Sequence, residues 1–294
     1  ASLPPTSAIA QTLNTKLSAL DRPVARAQSL EDAHYVLGGT VQRGRPAYYW
    51  FYRPATEGVT SAVPPRITRA VEATNVDRVG AVLADFVYRI DRSWGWLQLE
   101  SPPDAPHFPY ALAGFEETQT GTFVAPTDTL HWRGHYRVVL EASPDALRSA
   151  QRSFDAGLVK RYFYIFAIDI EGNGTLLYGT GNSENTVNFV DDIPDPERIV
   201  LPRSGKSLFQ SWPTRQGELE REVDTFVLLT TSEPLSDPTI LNFTGVRSRG
   251  ERAGVQSPFE RALFSIAHGT RGTTPAVPSA WSIQRVPMVS TRPH

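Results

Sequence analysis

Ile9, Leu13, Leu17 and Leu20 recur at helical spacing and Pro23 follows, so the pattern predicts an amphipathic helix over Ser7 to Leu20. Two apolar runs come next, Ala33-His34-Tyr35-Val36-Leu37 and Ala47-Tyr48-Tyr49-Trp50-Phe51-Tyr52. They flank the turn-prone Gln42-Arg43-Gly44-Arg45 and predict a hairpin. Beyond Pro64-Pro65, the residues Val76, Val79, Val82, Leu83, Phe86, Val87 and Ile90 form one stripe, with Arg78, Asp85 and Arg89 on the other side. That is a second helix, on which Asp85 and Arg89 stand at favourable i, i+4 spacing. Trp94 to Leu99 reads as a last strand of this first unit.

Closely spaced prolines in Ser101-Pro102-Pro103-Asp104-Ala105-Pro106 break both helix and ladder hydrogen bonding. The reading is therefore a small domain over 1–100, a linker at 101–107 and a second domain over 108–294. In the latter, short apolar runs alternate with turn clusters: Tyr110 to Ala113, Gly121 to Ala125, Tyr136 to Leu140, Tyr162 to Ile168, Thr175 to Tyr178, Val187 to Val190, Ile199 to Leu201, Phe226 to Thr231 and Trp281 to Met288. Short helices fit only at Pro144 to Ser153 and Pro258 to His268. The fold class that follows is β-rich α+β: a small N-terminal α+β domain followed by an antiparallel β-sandwich.

Composition narrows the chemistry. At 294 residues, 40% hydrophobic and with a formal net charge of -2, the chain has ample material for a core and no polyelectrolyte character. It contains no cysteine, which removes disulfides, Cys-ligated metals and every thiolate mechanism. No run is long and apolar enough to span a bilayer, and the first residues show no signal-peptide pattern. The single methionine is Met288, so Ala1 is not an initiating residue and the chain reads as a processed product or a piece of something longer. Arginines far outnumber the 3 lysines but are dispersed among acids, so nucleic acid is not an expected partner.

Several local motifs have to be weighed. His131-Trp132-Arg133-Gly134-His135 has the spacing that binds zinc on a helix, but Leu130 to Leu140 reads as a strand. Four residues there span roughly 13 Å, too far for one metal. Ser204-Gly205-Lys206-Ser207 lacks the earlier glycine of a phosphate loop, and Gly179-Thr180-Gly181-Asn182-Ser183-Glu184 lacks the third glycine and helix of a dinucleotide site. Asp169-Ile170-Glu171-Gly172-Asn173-Gly174 could offer oxygens to calcium. The apolar residues after it favour a hairpin turn instead.

On a strand, Tyr48, Trp50 and Tyr52 share one face and Tyr49 and Phe51 the other, so both faces want cover. The first three form the candidate interaction surface, meeting either the second domain or a partner. No Gly-x-Ser-x-Gly elbow selects a nucleophile, and no catalytic, cofactor or metal residue is assigned. Trp50, Trp94, Trp96, Trp132, Trp212 and Trp281, with the loop Asn182 to Asn188, leave a carbohydrate-binding or sugar-processing sandwich as the alternative. It requires tryptophan faces open to water. A hydrolase using His131 or His268 is a third reading.

The order Ala33 to Leu37, Gly95-Trp96-Leu97-Gln98-Leu99, Tyr162 to Leu177, Val223-Asp224-Thr225-Phe226-Val227-Leu228-Leu229-Thr230-Thr231-Ser232-Glu233-Pro234-Leu235, Gly245 to Gly250 and Trp281 to Arg285 resembles the region that follows the protease domain in bacterial caspase-like proteins. The resemblance runs over nearly the whole chain and implies a caspase-like cysteine endopeptidase domain upstream. It implies for this chain a non-catalytic accessory role in docking, substrate recognition or assembly, since no thiol is present to carry over. It also implies a periplasmic or secreted setting in preference to the cytoplasm.

Overall fold

The computed structural model describes residues 5–18, 27–41, 47–53, 67–102, 108–119, 121–127, 129–155, 161–179, 186–187, 197–202, 206–214, 219–243 and 281–292. The chain opens with helix α1 (Ser7–Ser18), the hairpin strands β1 (Val36–Val41) and β2 (Ala47–Tyr52), the short β3 (Val71–Glu72) and the long helix α2 (Val76–Gln98). Strands β4 (Tyr110–Gln119), β5 (Thr122–Thr127), β6 (Thr129–His131) and β7 (His135–Ala142) follow, then α3 (Pro144–Asp155). The rest comprises β8 (Arg161–Ile168), β9 (Gly174–Tyr178), β10 (Thr186–Val187), β11 (Arg198–Leu201), β12 (Phe209–Gln210), β13 (Arg221–Thr231), a 3-10 turn at Pro238–Leu241 and β14 (Trp281–Thr291).

In the first unit, β1, β2 and β3 form an antiparallel sheet in that order, with Leu37 opposite Phe51 and Gly39 opposite Tyr49. The helical stripe read from the sequence covers one face of it: Ile9, Leu13, Val79, Leu83, Phe86 and Ile90 bury Tyr49 and Phe51. Asn75 starts α2 by accepting a hydrogen bond from the Arg78 backbone N–H at 3.0 Å, satisfying one of the orphan donors of the first turn. Gly80 lets the two helices touch, because a Cβ there would lie 2.5 Å from Thr12 Cγ2.

The strand expected at Trp94 to Leu99 is instead the end of α2, which runs unbroken to Gln98. Gly95 weakens helix propensity by about 1 kcal/mol. Burial overrides it: Ser93, Trp96 and Leu97 continue the inward stripe at spacings of three and four and are buried. Their environment is no longer the small sheet but the second unit.

That second unit is a sandwich with one sheet covered on both sides. One sheet has the order β11-β7-β4-β5, with β12 also on β7; the other has β10-β8-β13-β14-β6, with β9 also on β8. Neighbours are antiparallel except β14 and β6, which run parallel. Between the sheets lie Phe115, Tyr136, Val138, Leu140, Phe163, Ile165, Phe226 and Leu228. On the far side of the second sheet, Tyr164, Phe166, Val227 and Leu229 pack on Trp96, Leu97, Ile240 and Phe243. The uninterrupted hydrophobic runs Tyr162 to Ile168 of β8 and Phe226 to Leu229 of β13 follow from this double cover, which an ordinary half-solvated sheet does not need. The fold is therefore the β-rich α+β arrangement with a sheet sandwich that the pattern predicts. Of the linker, only Ser101 and Pro102 are described, and Ser101 Oγ accepts from the Ile283 N–H at 3.0 Å, fastening it to β14. The helix expected at Pro258 to His268 lies outside the described residues.

Candidate functional site

The hairpin alternation sets the geometry of the aromatic surface. Tyr49 and Phe51 point into the helix-covered core, so Tyr48, Trp50 and Tyr52 stand together on the other face of β2, all half-buried. Gly38 of β1 lies opposite Trp50. A Cβ at Gly38 would lie 3.0 Å from Tyr52 Cε1 and 3.4 Å from Trp50 Cε2, so both rings spread over the bare glycine. At the Tyr52 end, Trp94 stacks on His34 with centroids 5.2 Å apart and carries the Arg53 guanidinium 5.1 Å from its centroid. Burial pushes the Tyr35 hydroxyl up to about 12, with Arg53 opposing, so this edge is neutral phenol and arginine at any physiological pH.

The six tryptophans divide sharply. Trp96, Trp132 and Trp281 are buried core residues and Trp50 and Trp94 half-buried, whereas Trp212 is 55% exposed. Its indole N–H donates to Gln210 Oε1 at 3.2 Å, and the Gln210 amide donates to the Arg133 carbonyl at 3.1 Å.

The two histidines of His131-Trp132-Arg133-Gly134-His135 are not on one strand. The strand reading over Leu130 to Leu140 gives way to a tight turn between β6 and β7, closed by the Gly134 N–H donating to the His131 carbonyl at 2.9 Å. His131 Nδ1 lies 2.8 Å from Glu117 Oε2. His135 Nδ1 lies 3.5 Å from Ser207 Oγ. The Tyr136 hydroxyl, whose pKa burial raises, bonds the backbone of His131. Gly134 suits this turn because a Cβ would lie 2.9 Å from the His131 carbonyl oxygen, a backbone atom that cannot step aside. Arg133, by contrast, sits at φ 69, a left-handed conformation that costs an L-residue roughly 1 kcal/mol. Arg133→Gly is expected to raise stability by up to about 1 kcal/mol, measured by urea denaturation; an unchanged or lower midpoint would mean the guanidinium over Trp212 outweighs the strain.

The segment Asp169 to Gly174 is the β8–β9 hairpin turn. Asp169 Oδ1 accepts from the backbone N–H groups of Glu171 at 2.8 Å and Asn173 at 2.9 Å, and Oδ2 from Asn173 Nδ2 at 2.9 Å. Its oxygens thus brace the turn, with Gly172 at φ 78. Among the described residues no three acids or histidines are placed to hold a metal. Glu171 bridges Arg69 at 2.6 Å and Arg89 at 3.5 Å, tying the turn to α2.

Two acids with unusual surroundings escape sequence reasoning. Glu116 accepts from Arg137 Nη2 and Arg198 Nη2, both at 2.5 Å, across three neighbouring strands. A bulge between Leu112 and Gly114 re-aims the end of β4, which no alternation count foresees. Asp224 is the other. Its Oδ1 is sealed from solvent without a hydrogen bond, although the residue as a whole keeps intermediate exposure. Burial, then the nearby Asp169 and Glu222 carboxylates, push its pKa well above the usual carboxylate range against a hydrogen bond from the Ile170 N–H.

A scan against protein-family models and searches of curated proteins and of solved structures each return no match. The chain has no cysteine and hence no thiolate nucleophile. No described helix is long and apolar enough to cross a membrane. Ser204, Gly205, residues 180–185, His107, His268 and His294 lie outside the described residues, while Lys206 and Ser207 are exposed.

Proposed function

We propose that this chain is a non-catalytic accessory region working beside a caspase-like cysteine endopeptidase domain, which it docks against through the Tyr48, Trp50 and Tyr52 face. The row of three half-buried aromatic side chains carries this reading. Helices cover the opposite face of the same sheet, and the bare Gly38 lets the Trp50 and Tyr52 rings approach β1 closely. Such amphipathic rings supply large contact area at small entropic cost, which is why tyrosine and tryptophan dominate binding hot spots. The resemblance to the region downstream of caspase-like proteases names the class of partner.

The test is a binding measurement between this chain and a caspase-like domain encoded in the same reading frame. Trp50→Ala is expected to weaken association by ten-fold or more, consistent with a hot-spot loss of about 2 kcal/mol. Its unfolding midpoint checks that the fold survives. Unchanged affinity, or peptide-bond cleavage by the isolated chain, would overturn the reading.

A further inference from the structure

The β6–β7 turn and the end of β12 are zipped by their backbones. The Arg133 N–H donates to the Ser211 carbonyl at 2.7 Å, and the Ser211 N–H to the Gly134 carbonyl at 3.0 Å. Gln210 extends the zip with its side chain, accepting from the Trp212 indole N–H and donating to the Arg133 carbonyl. Trp212 is thereby held in one orientation while 55% exposed, so its ring is a pre-organised platform and not a side chain loose in water. Arg133 is the second member. At φ 69 it sits where glycine or asparagine is ordinary, and its exposed guanidinium stands 6.0 Å from the Trp212 ring centroid. Among the described residues that guanidinium has no carboxylate and no hydrogen-bond partner. Strain retained at an exposed, unpaired cation points to a ligand, since nothing within the turn needs the charge.

The surroundings are polar and lean positive. His135 lies opposite Gln210 in the pairing of β7 with β12, so the two side chains share a face, and Ser207 Oγ lies 3.5 Å from His135 Nδ1. Both His135 and Ser207 are exposed. A second exposed guanidinium, Arg292, lies 5.6 Å from the ring centroid of Trp132, the residue before Arg133. Of the acids on adjoining elements, Glu117 is engaged by His131 at 2.8 Å and Glu222 accepts from the Thr214 N–H at 2.7 Å. Glu220 is exposed, and its carbonyl accepts from Thr291 Oγ1 at 3.3 Å.

We propose that Trp212, Arg133, Gln210 and His135 form a binding site for a uronic-acid sugar. The C–H face of one pyranose lies on the indole, its carboxylate pairs with the Arg133 guanidinium, and its hydroxyls meet the Gln210 amide and the His135 imidazole. A neutral sugar would leave the guanidinium unpaired. An acidic peptide would take the guanidinium but bring no hydroxyls to the amide, imidazole and serine beside it. None of these residues belongs to the Tyr48, Trp50 and Tyr52 row, so the test is separate from that of protease docking.

The measurement is affinity electrophoresis of the full chain through gels containing polygalacturonate, alginate or hyaluronate, with polyglutamate and dextran as comparisons. At least one uronate polymer is expected to retard the chain, with polyglutamate and dextran far weaker. Trp212→Ala and Arg133→Gly are each expected to weaken that retention by about ten-fold or more, the size of a lost hot-spot side chain. Both replace exposed side chains, and Arg133→Gly also relieves the turn, so a cooperative unfolding transition in each separates lost binding from a lost fold. Migration unchanged by all three uronates overturns the proposal, as does retention that survives either substitution. Equal retention by polyglutamate would overturn it in favour of an acidic peptide, and equal retention by dextran would remove the role given to Arg133.

Discussion

Trp96→Ala is expected to cost about 3–5 kcal/mol, the range for truncating a buried tryptophan. Trp96 is 1% exposed, meets Phe166 edge-on with centroids 5.3 Å apart, and its carbonyl accepts from Arg285 Nε at 3.3 Å. The loss would remove a large share of a typical domain's 5–15 kcal/mol and lower the melting temperature by roughly 5–10 °C. The shape of the transition matters as much as its midpoint. Trp96 stands at the sandwich end of a helix whose first half, through Val79, Leu83 and Phe86, carries the core of the small unit. A single transition shifted as a whole is therefore expected. A split melt, with one unit retaining its original midpoint, would show that α2 does not couple the two.

The second large effect concerns pH. The Asp224 carboxyl has a higher pKa folded than unfolded, so the native state holds a proton that the unfolded chain releases first. The stability tied to this group is complete below the ordinary carboxylate range and is lost as pH rises through the elevated folded value. Asp224→Asn keeps an acceptor for the Ile170 N–H and removes the ionisation. It is expected to stabilise the protein by on the order of 1 kcal/mol at neutral pH and to have little effect near pH 4. Denaturation midpoints measured across that window check it; parallel curves for the two proteins would sink the idea.

The parts of the fold that were legible in the sequence are those where one local rule decides. The stripe from Val76 to Ile90 and the apolar runs in β8 and β13 name their elements because burial on a face or on both faces leaves a plain signature. Trp94 to Leu99 misleads because tryptophan and leucine alternating with Gly95 and Gln98 satisfy a strand count as well as a helical one. Only the sandwich, folded elsewhere in the chain, selects the helix. The turn at Trp132 to Gly134 is hidden because Arg133 adopts a left-handed conformation with none of the asparagine or glycine chemistry that announces one.

The candidate site divides in the same way. Tyr48, Trp50 and Tyr52 share a face by strand parity alone, so the sequence was enough. The close approach of Trp50 and Tyr52 to Gly38 needed the register of β1 on β2. Glu116 and Asp224 read as ordinary strand charges, and near Asp224 it is Val223 that is 38% exposed. Their surroundings depend on Arg137, Arg198 and the β8–β9 turn, partners that are distant along the chain or re-aimed by a bulge. Three-dimensional neighbours of that kind leave no periodic trace.

Strand β14 spans residues 281–291, yet it lies between β13 and β6, whose residues are made far earlier. During synthesis on the ribosome, β13 therefore emerges with one full edge unfilled and waits for the polypeptide behind it. The central sheet closes only when Thr291 has cleared the exit tunnel, so the nascent chain passes through a stage in which a long apolar strand is open to its neighbours. Chaperone demand should peak in that interval rather than during translation of the helices, and a stalled or nicked product ending before Trp281 would retain the hazard permanently.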